Sequence, residues 1–187
     1  MSEGLATRVA TPETWADVDE LLGPSGIGGC WCLFWRLPGP EFKAGTGDGN
    51  RERLRELVTA GAEPAVVAYE GGRPVGWVAV APREEHRRLE RSPLRAGLAD
   101  GAGVWTVSCF YLAREARGRG VPATLLDAAV AHAARRGARA VEGFPKDTGT
   151  RISRAELYVG WPGLFTGAGF REVARPLPHR PIMRRDL

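Results

Sequence analysis

FYLAREARGRGVPATLLDAAVAHAARRGARAVEG, residues 110–143, carries the reading of this chain. Arg117, Gly118, Arg119 and Gly120 stand directly before an apolar run, and Pro122 suits the first turn of a helix because the amide it lacks has no partner there in any case. Leu125, Leu126, Ala129, Val130 and Ala133 then fall on one helical stripe, and Gly137 stops it. In front lies VWTVSCFYL, Val104–Leu112, a run of bulky and β-branched residues that reads as a strand. Behind lies ARAVEGF, a second strand. Strand, helix of about four turns and strand make a crossover unit whose two strands run parallel.

The glycines before the helix raise the question of a ligand. The first N–H groups of a helix lack internal partners, and the aligned peptide dipoles favour negative charge there. Gly118 and Gly120 carry no Cβ to hold an anion away, and Arg117 and Arg119 add charge. Two glycines also serve as a plain strand-to-helix turn, so this feature alone does not decide.

At 187 residues the chain is expected to form a single domain, 1–187. Apolar residues make up 43% and charged residues 26%, which excludes a disordered or fibrous chain. The net charge is +4 with an isoelectric point near 9.3, yet all but two of the 26 basic residues are arginine and 22 acids are interspersed among them. That pattern fits biased codon usage better than a nucleic-acid face. Three cysteines without paired spacing argue against a disulfide framework and for a reducing compartment. The start, MSEGLATRVA, has no basic head followed by an apolar run, so a cytoplasmic protein without membrane contact is expected.

Along the chain, ATRVA reads as a short strand and Thr11-Pro12 as a helix start. Residues 24–49, rich in Gly and Pro around GGCWCLFWRLP, read as an acceptor-side loop or lid with a helical insert. Leu54, Leu57 and Val58 mark a helix, and PAVVAYEGGRPVGWVAVA a hairpin turning at Gly71-Gly72. Residues 83–103 are charged enough to be a solvated excursion. WPGLFTGAGF predicts a short helix ending at Gly169, followed by two closing strands.

GRGVPA, Gly118–Ala123, matches the dinucleotide fingerprint G-x-G-x-x-G/A, with Glu142 at the end of the next strand as the ribose acid. Here, however, AREAR separates the strand from the first glycine, and little chain remains after Gly143 for further parallel strands. FYLAREARGRGVP also resembles the GNAT (Gcn5-related) N-acetyltransferase motif, in which a bulged strand leads to R/Q-x-x-G-x-G/A. Arg117, Gly118, Arg119, Gly120 and Val121 fit it in order, and Pro122 stands where the family has Gly or Ala. GLFTGAGFREVAR resembles the second conserved region, with Phe165 in place of a frequent tyrosine. The resemblance implies an α/β (α+β) fold with a mixed, mostly antiparallel sheet and an acetyl-CoA-binding β-α-β unit over 104–143. It further implies pyrophosphate on Arg117, Gly118, Arg119, Gly120, Val121, Pro122 and Ala123, and pantetheine along Phe110, Tyr111 and Leu112.

The implied activity is transfer of an acetyl group from acetyl-CoA to an amine by direct attack on the thioester. A nicotinamide-dependent oxidoreductase and a non-catalytic acyl-CoA-binding domain are the alternatives. Candidate catalytic residues are Glu142, the nearest carboxylate, Ser108, on the face shared by 106, 108 and 110 if the strand stays extended, and Tyr158 as acid to the leaving thiolate. Trp31, Phe34 and Trp35 are expected to wall the acceptor site. Cys30-x-Cys32 is too weak a pattern for a metal, and none is expected. His86, His132 and His179 read as surface residues. The expected partner is a small-molecule or peptide amine, with no nucleic acid, and a homodimer is an open alternative.

Overall fold

The computed structural model describes residues 4–23, 29–98, 101–147, 149 and 158–187, so parts of the stretches 24–49 and 83–103 lie outside the described residues. Seven strands form one sheet: β1 (Ala6–Val9), β2 (Ala65–Glu70), β3 (Arg73–Pro82), β4 (Val104–Leu112), β5 (Ala140–Gly143), β6 (Arg171–Leu177) and β7 (Arg180–Asp186). Their order is β1-β2-β3-β4-β5-β7-β6. Only β4 and β5 pair in parallel, as the crossover requires; every other neighbour is antiparallel. A single parallel pair removes the dinucleotide-fold alternative, which needs a run of parallel strands on both sides of its glycine turn.

The helices are α1 (Trp15–Leu22), α2 (Gly39–Ala44), α3 (Asp48–Thr59), α4 (Val121–Arg135) and α5 (Pro162–Gly167). On one sheet face, Leu125, Leu126 and Ala129 of α4 bury against Val66, Val78 and Val107, joined by Phe165 of α5. Gly76 allows the close approach: a Cβ there would lie 2.9 Å from Val121 and 3.0 Å from Leu125. On the other face, Val18 and Leu22 of α1 and Leu54 and Val58 of α3 pack on Val67 and Trp77. The central strands β2, β3 and β4 therefore alternate between two apolar layers, whereas the edge strands β1 and β6 are largely exposed.

Several expectations are corrected. Residues 31–37 form successive turns, not a helix; the helical insert is α2, further on. The stretch 83–103 is not simply solvated. It forms short 3-10 turns at Arg83–Glu85, Leu89–Arg91 and Pro93–Gly97 that bury Arg83, His86, Leu89 and Leu94. His132 is also buried, its ring edge-on to Trp105 and its Nε2 3.1 Å from the Glu63 carbonyl. Charge-rich composition concealed both histidines, since arginine heads reach water while their neighbours fill the core.

Candidate active site

The site begins where β4 and β5 part. Strand β4 stays paired with β3 as far as Leu112 opposite Gly76, but pairs with β5 only from Val104 opposite Ala140 to Val107 opposite Gly143. Beyond β5 the chain turns away, and the Lys146 N–H donates to the Gly160 carbonyl. From Ser108 to Leu112 one edge of β4 therefore lacks a strand partner among the described residues. A bulge sits at the parting point: Ala79 faces Cys109 while Val80 faces Val107, leaving Ser108 as the extra residue. The bulge corrects the expected shared face of 106, 108 and 110. Thr106 bonds to Glu142, whereas Phe110 joins Val107 in the α4 layer.

Five residues after Leu112 comes the glycine turn. Gly118 and Gly120 have φ of +75° and +79°, a left-handed backbone that side chains resist. A Cβ at either position would meet nothing within 4 Å, so the turn opens onto free space. Gly120 is the N-cap of α4. The N–H groups from Gly118 to Val121 have no backbone acceptor among the described residues, whereas that of Ala123 turns back to the Gly120 carbonyl. Pro122, at the first turn of α4, offers no N–H beside these four. Arg119 is not free to meet an anion, because it holds Glu70 with two nitrogens. Arg117 is exposed, with only a 3.5 Å contact to the Leu112 carbonyl.

Phe34 and Trp35, two residues of the expected acceptor wall, meet edge to face at 5.1 Å and remain partly accessible. Trp31 departs from the expected wall. It is 6% exposed among Leu21, Leu22 and Leu33, and acts as core. All three cysteines gather here. The Cys32 Sγ lies 3.2 Å from Cys109 Sγ on β4, and hydrogen bonding by Cys32 brings the Cys30 thiol down to about 7. Two open surface hollows of about 520 and 540 Å³ lie elsewhere, beside Arg95 and beside Tyr69. Neither touches the glycine turn, and both are shallow hollows at chain reversals.

The acetyltransferase (GNAT) family model matches residues 31–151, which include the parted strands and the glycine turn. The chain belongs to this family. Its activity is transfer of an acetyl group from acetyl-CoA to an amine. Among curated proteins no match is found. Solved structures share the fold. A GCN5-related N-acetyltransferase from Kribbella flavida is 22% identical with a TM-score of 0.56, covering 99% of each chain. The PaiA N-acetyltransferase from Thermoplasma acidophilum, solved with coenzyme A, is 13% identical with a TM-score of 0.57, covering 98% of this chain and 99% of that one. A diaminobutyrate acetyltransferase from Paenibacillus lautus, solved with its substrate and coenzyme A, is 15% identical with a TM-score of 0.53, covering 100% of this chain and 96% of that one.

Within this acetyltransferase the three catalytic candidates are placed very differently. Glu142 is not a free base: both its oxygens are held by Arg83 at 2.5 Å, with Thr106 adding a bond of 3.3 Å, and the pair is 1% and 6% exposed. Sequence reading missed Arg83 because 59 residues separate the partners and no spacing connects them. Ser108 lies at the parting point with a buried Oγ that has no hydrogen-bond partner among the described residues. Tyr158 is 38% exposed, and burial raises its phenol above the usual range while Arg180 opposes the rise. Phe165 is fully buried between Phe110 and Phe170, and a Cβ on Gly143 would run into its ring. It fills the core between β4, β5 and α5.

Proposed function

We propose that acetyl-CoA lies between the parted ends of β4 and β5, with its pantetheine chain along Phe110, Tyr111 and Leu112 and its pyrophosphate on the turn from Gly118 to Ala123. One observation carries this reading: β4 loses its β5 partner at Val107 and keeps its β3 partner to Leu112, just ahead of an open turn with unclaimed N–H groups. An extended amide chain can replace the missing strand, and left-handed glycines leave room for an anion. Arg119 joins the phosphates only by leaving Glu70, so Arg117 is the better placed of the two.

Acetyl-CoA supplies an activated acetyl group. The protein's part is to place a neutral amine against it, to donate to the oxygen that gains charge, and to exclude water. A main-chain N–H on the free edge of β4 is the proposed oxyanion donor. An alkyl ammonium titrates near about 10.4, so a proton must leave before attack; with Glu142 engaged by Arg83, water carries it away. Ser108 Oγ, buried at the parting point and without a partner, orients that water. Tyr158, kept protonated by its raised pKa, donates to the departing thiolate. The acceptor is a small-molecule or peptide amine entering past Phe34 and Trp35. Three free thiols suit the reducing cytoplasm, where we place the enzyme.

Thermal unfolding and thiol release test the reading together. Acetyl-CoA and CoA should raise the melting temperature where NAD and NADP do not. Amine-dependent appearance of free CoA should follow; stabilisation without any release across a broad amine panel would leave only a binding module.

A further inference from the structure

Beside Phe34 and Trp35, the proposed acceptor wall, two arginines lack a carboxylate partner among the described residues. Arg88 stacks 4.0 Å above the Phe34 ring and 5.1 Å from Phe42, its Nε donating to the Leu37 carbonyl at 3.1 Å. Arg180, the first residue of β7, donates Nη2 to the Phe144 carbonyl at 2.9 Å and lies 5.9 Å from the Trp35 ring. Neither has a carboxylate within ion-pair distance among the described residues. In contrast, Arg36 has Glu85, Arg51 has Asp19, Arg83 has Glu142 and Arg175 has Asp147. Arg88 Nη2 and Arg180 Nε are buried with no hydrogen-bond partner.

The two guanidinium groups lie on neighbouring rings, Arg88 over Phe34 and Arg180 beside Trp35, and those rings touch edge to face at 5.1 Å. Both act electrostatically on the Tyr158 hydroxyl, as do Cys30 and Cys109, and no described carboxylate does so. Cys109 is on β4 beside the bulge, so this spot lies next to the proposed position of the acetyl group. Burial lowers the pKa of each arginine, and among the described residues the Tyr158 hydroxyl, not a carboxylate, opposes the fall. Two half-buried guanidinium groups without a described carboxylate partner favour an oxyanion and repel a second cation. Phe34 and Trp35 provide the apolar side of the same opening.

We infer that the acceptor is an amine that also carries an oxyanion, of the amino-acid type with an apolar side chain, and that Arg88 and Arg180 bind the anion while the amine faces the thioester. This rests on the acetyl-CoA placement proposed above. It excludes polyamines as preferred acceptors, since their additional ammonium groups would face both guanidinium groups.

A matched set of amines tests it on the intact protein: phenylalanine, its phosphonate analogue, phenylalaninamide and phenethylamine, with spermidine as the polycation. Phenylalanine or the phosphonate should exceed the amide and phenethylamine in kcat/KM by about tenfold or more, the ratio expected for one charge-assisted bond in a buried site. The comparison between the two acids tells carboxylate from phosphonate. Arg180→Met and Arg88→Met should each raise the KM of the preferred acid by a similar factor while the KM of acetyl-CoA stays within about twofold. Spermidine or phenethylamine used as well as the acids, or no acetylation of any of the five by an enzyme that acetyl-CoA stabilises, would overturn this inference alone. Absence of stabilisation by acetyl-CoA would overturn both readings. The wild-type comparison stands even if one variant fails to fold.

Discussion

The Arg83 guanidinium grips both oxygens of Glu142 at 2.5 Å, tying the start of the excursion after β3 to the centre of β5. Glu142 lies opposite Thr106 on one side and Arg184 on the other, so the pair braces the sheet directly below the point where β4 and β5 part. Removing one member leaves a buried unpaired charge, which costs about 3–5 kcal/mol, whereas replacing both by apolar groups is often nearly neutral. Glu142→Gln should therefore lower stability by about 3 kcal/mol in urea unfolding. The double change Arg83→Met, Glu142→Leu should recover most of that loss and keep kcat within about tenfold of the parent. A drop of a thousandfold or more in the folded double variant would return Glu142 to the role of base.

Gly120 is the test of the anion turn. Its φ of +79° costs a residue with a side chain about 1–2 kcal/mol, and a β-branched side chain would also stand in the open space beside the helix start. Gly120→Val should raise the KM of acetyl-CoA by about tenfold or more while leaving the acceptor KM within about twofold. Steady-state kinetics with each substrate varied in turn distinguishes this from general damage, which would move both constants.

The crossover unit was legible because its signals are local: glycines, a proline in the first turn and a stripe at helical spacing lie within one stretch of chain. Strand β4 and helix α4 accordingly occur where the pattern puts them. The bulge at Ser108 was not legible, since nothing in the run VWTVSCFYL marks an extra residue and only the register against β3 reveals it. The same is true of Trp31, whose spacing with Trp35 suggested one helical face although a turn with φ of +46° at Trp31 sends the two side chains to different places. Arg83, Arg88 and Arg180 were hidden by abundance: among so many arginines, burial and missing partners are properties of the fold alone.

Cys30 provides a chemical readout of the strained segment. Trp31 and Cys32 both have positive φ, which brings Cys32 onto Cys109 and leaves Cys30 partly accessible beside it. The Cys30 thiol is brought down to about 7 by hydrogen bonding from Cys32, and the Cys32 thiol is pushed well up by Cys109 and Cys30. Iodoacetamide should therefore label Cys30 first, with a half-maximal rate near pH 7, while Cys32 and Cys109 react only after unfolding. Peptide mass spectrometry across a pH series reads this out; a labelling rate that rises only above about pH 8.5 would show an ordinary thiol.

His86 sets the acid limit of stability. Its ring is 1% exposed, with Nδ1 3.1 Å from the Pro82 carbonyl, and burial followed by the field of Arg36 brings its pKa down to about 3. The His132 pKa is also lowered, chiefly by burial. In the unfolded chain both rings take up a proton near about pH 6.5, whereas the folded protein holds them neutral. Below that pH the unfolded state binds more protons, so stability falls as pH drops from about 6.5 towards about 3. Asp19, Asp147 and Asp186, whose carboxyls arginines hold below the usual range, add their own loss only below about pH 4. The window from about pH 6.5 to 4.5 therefore belongs to the histidines. His86→Gln should reduce the slope of unfolding free energy against pH there, with His132 contributing in the same direction. Urea unfolding at half-unit pH intervals measures it, and an unchanged slope in the variant would mean that His86 never resists its proton.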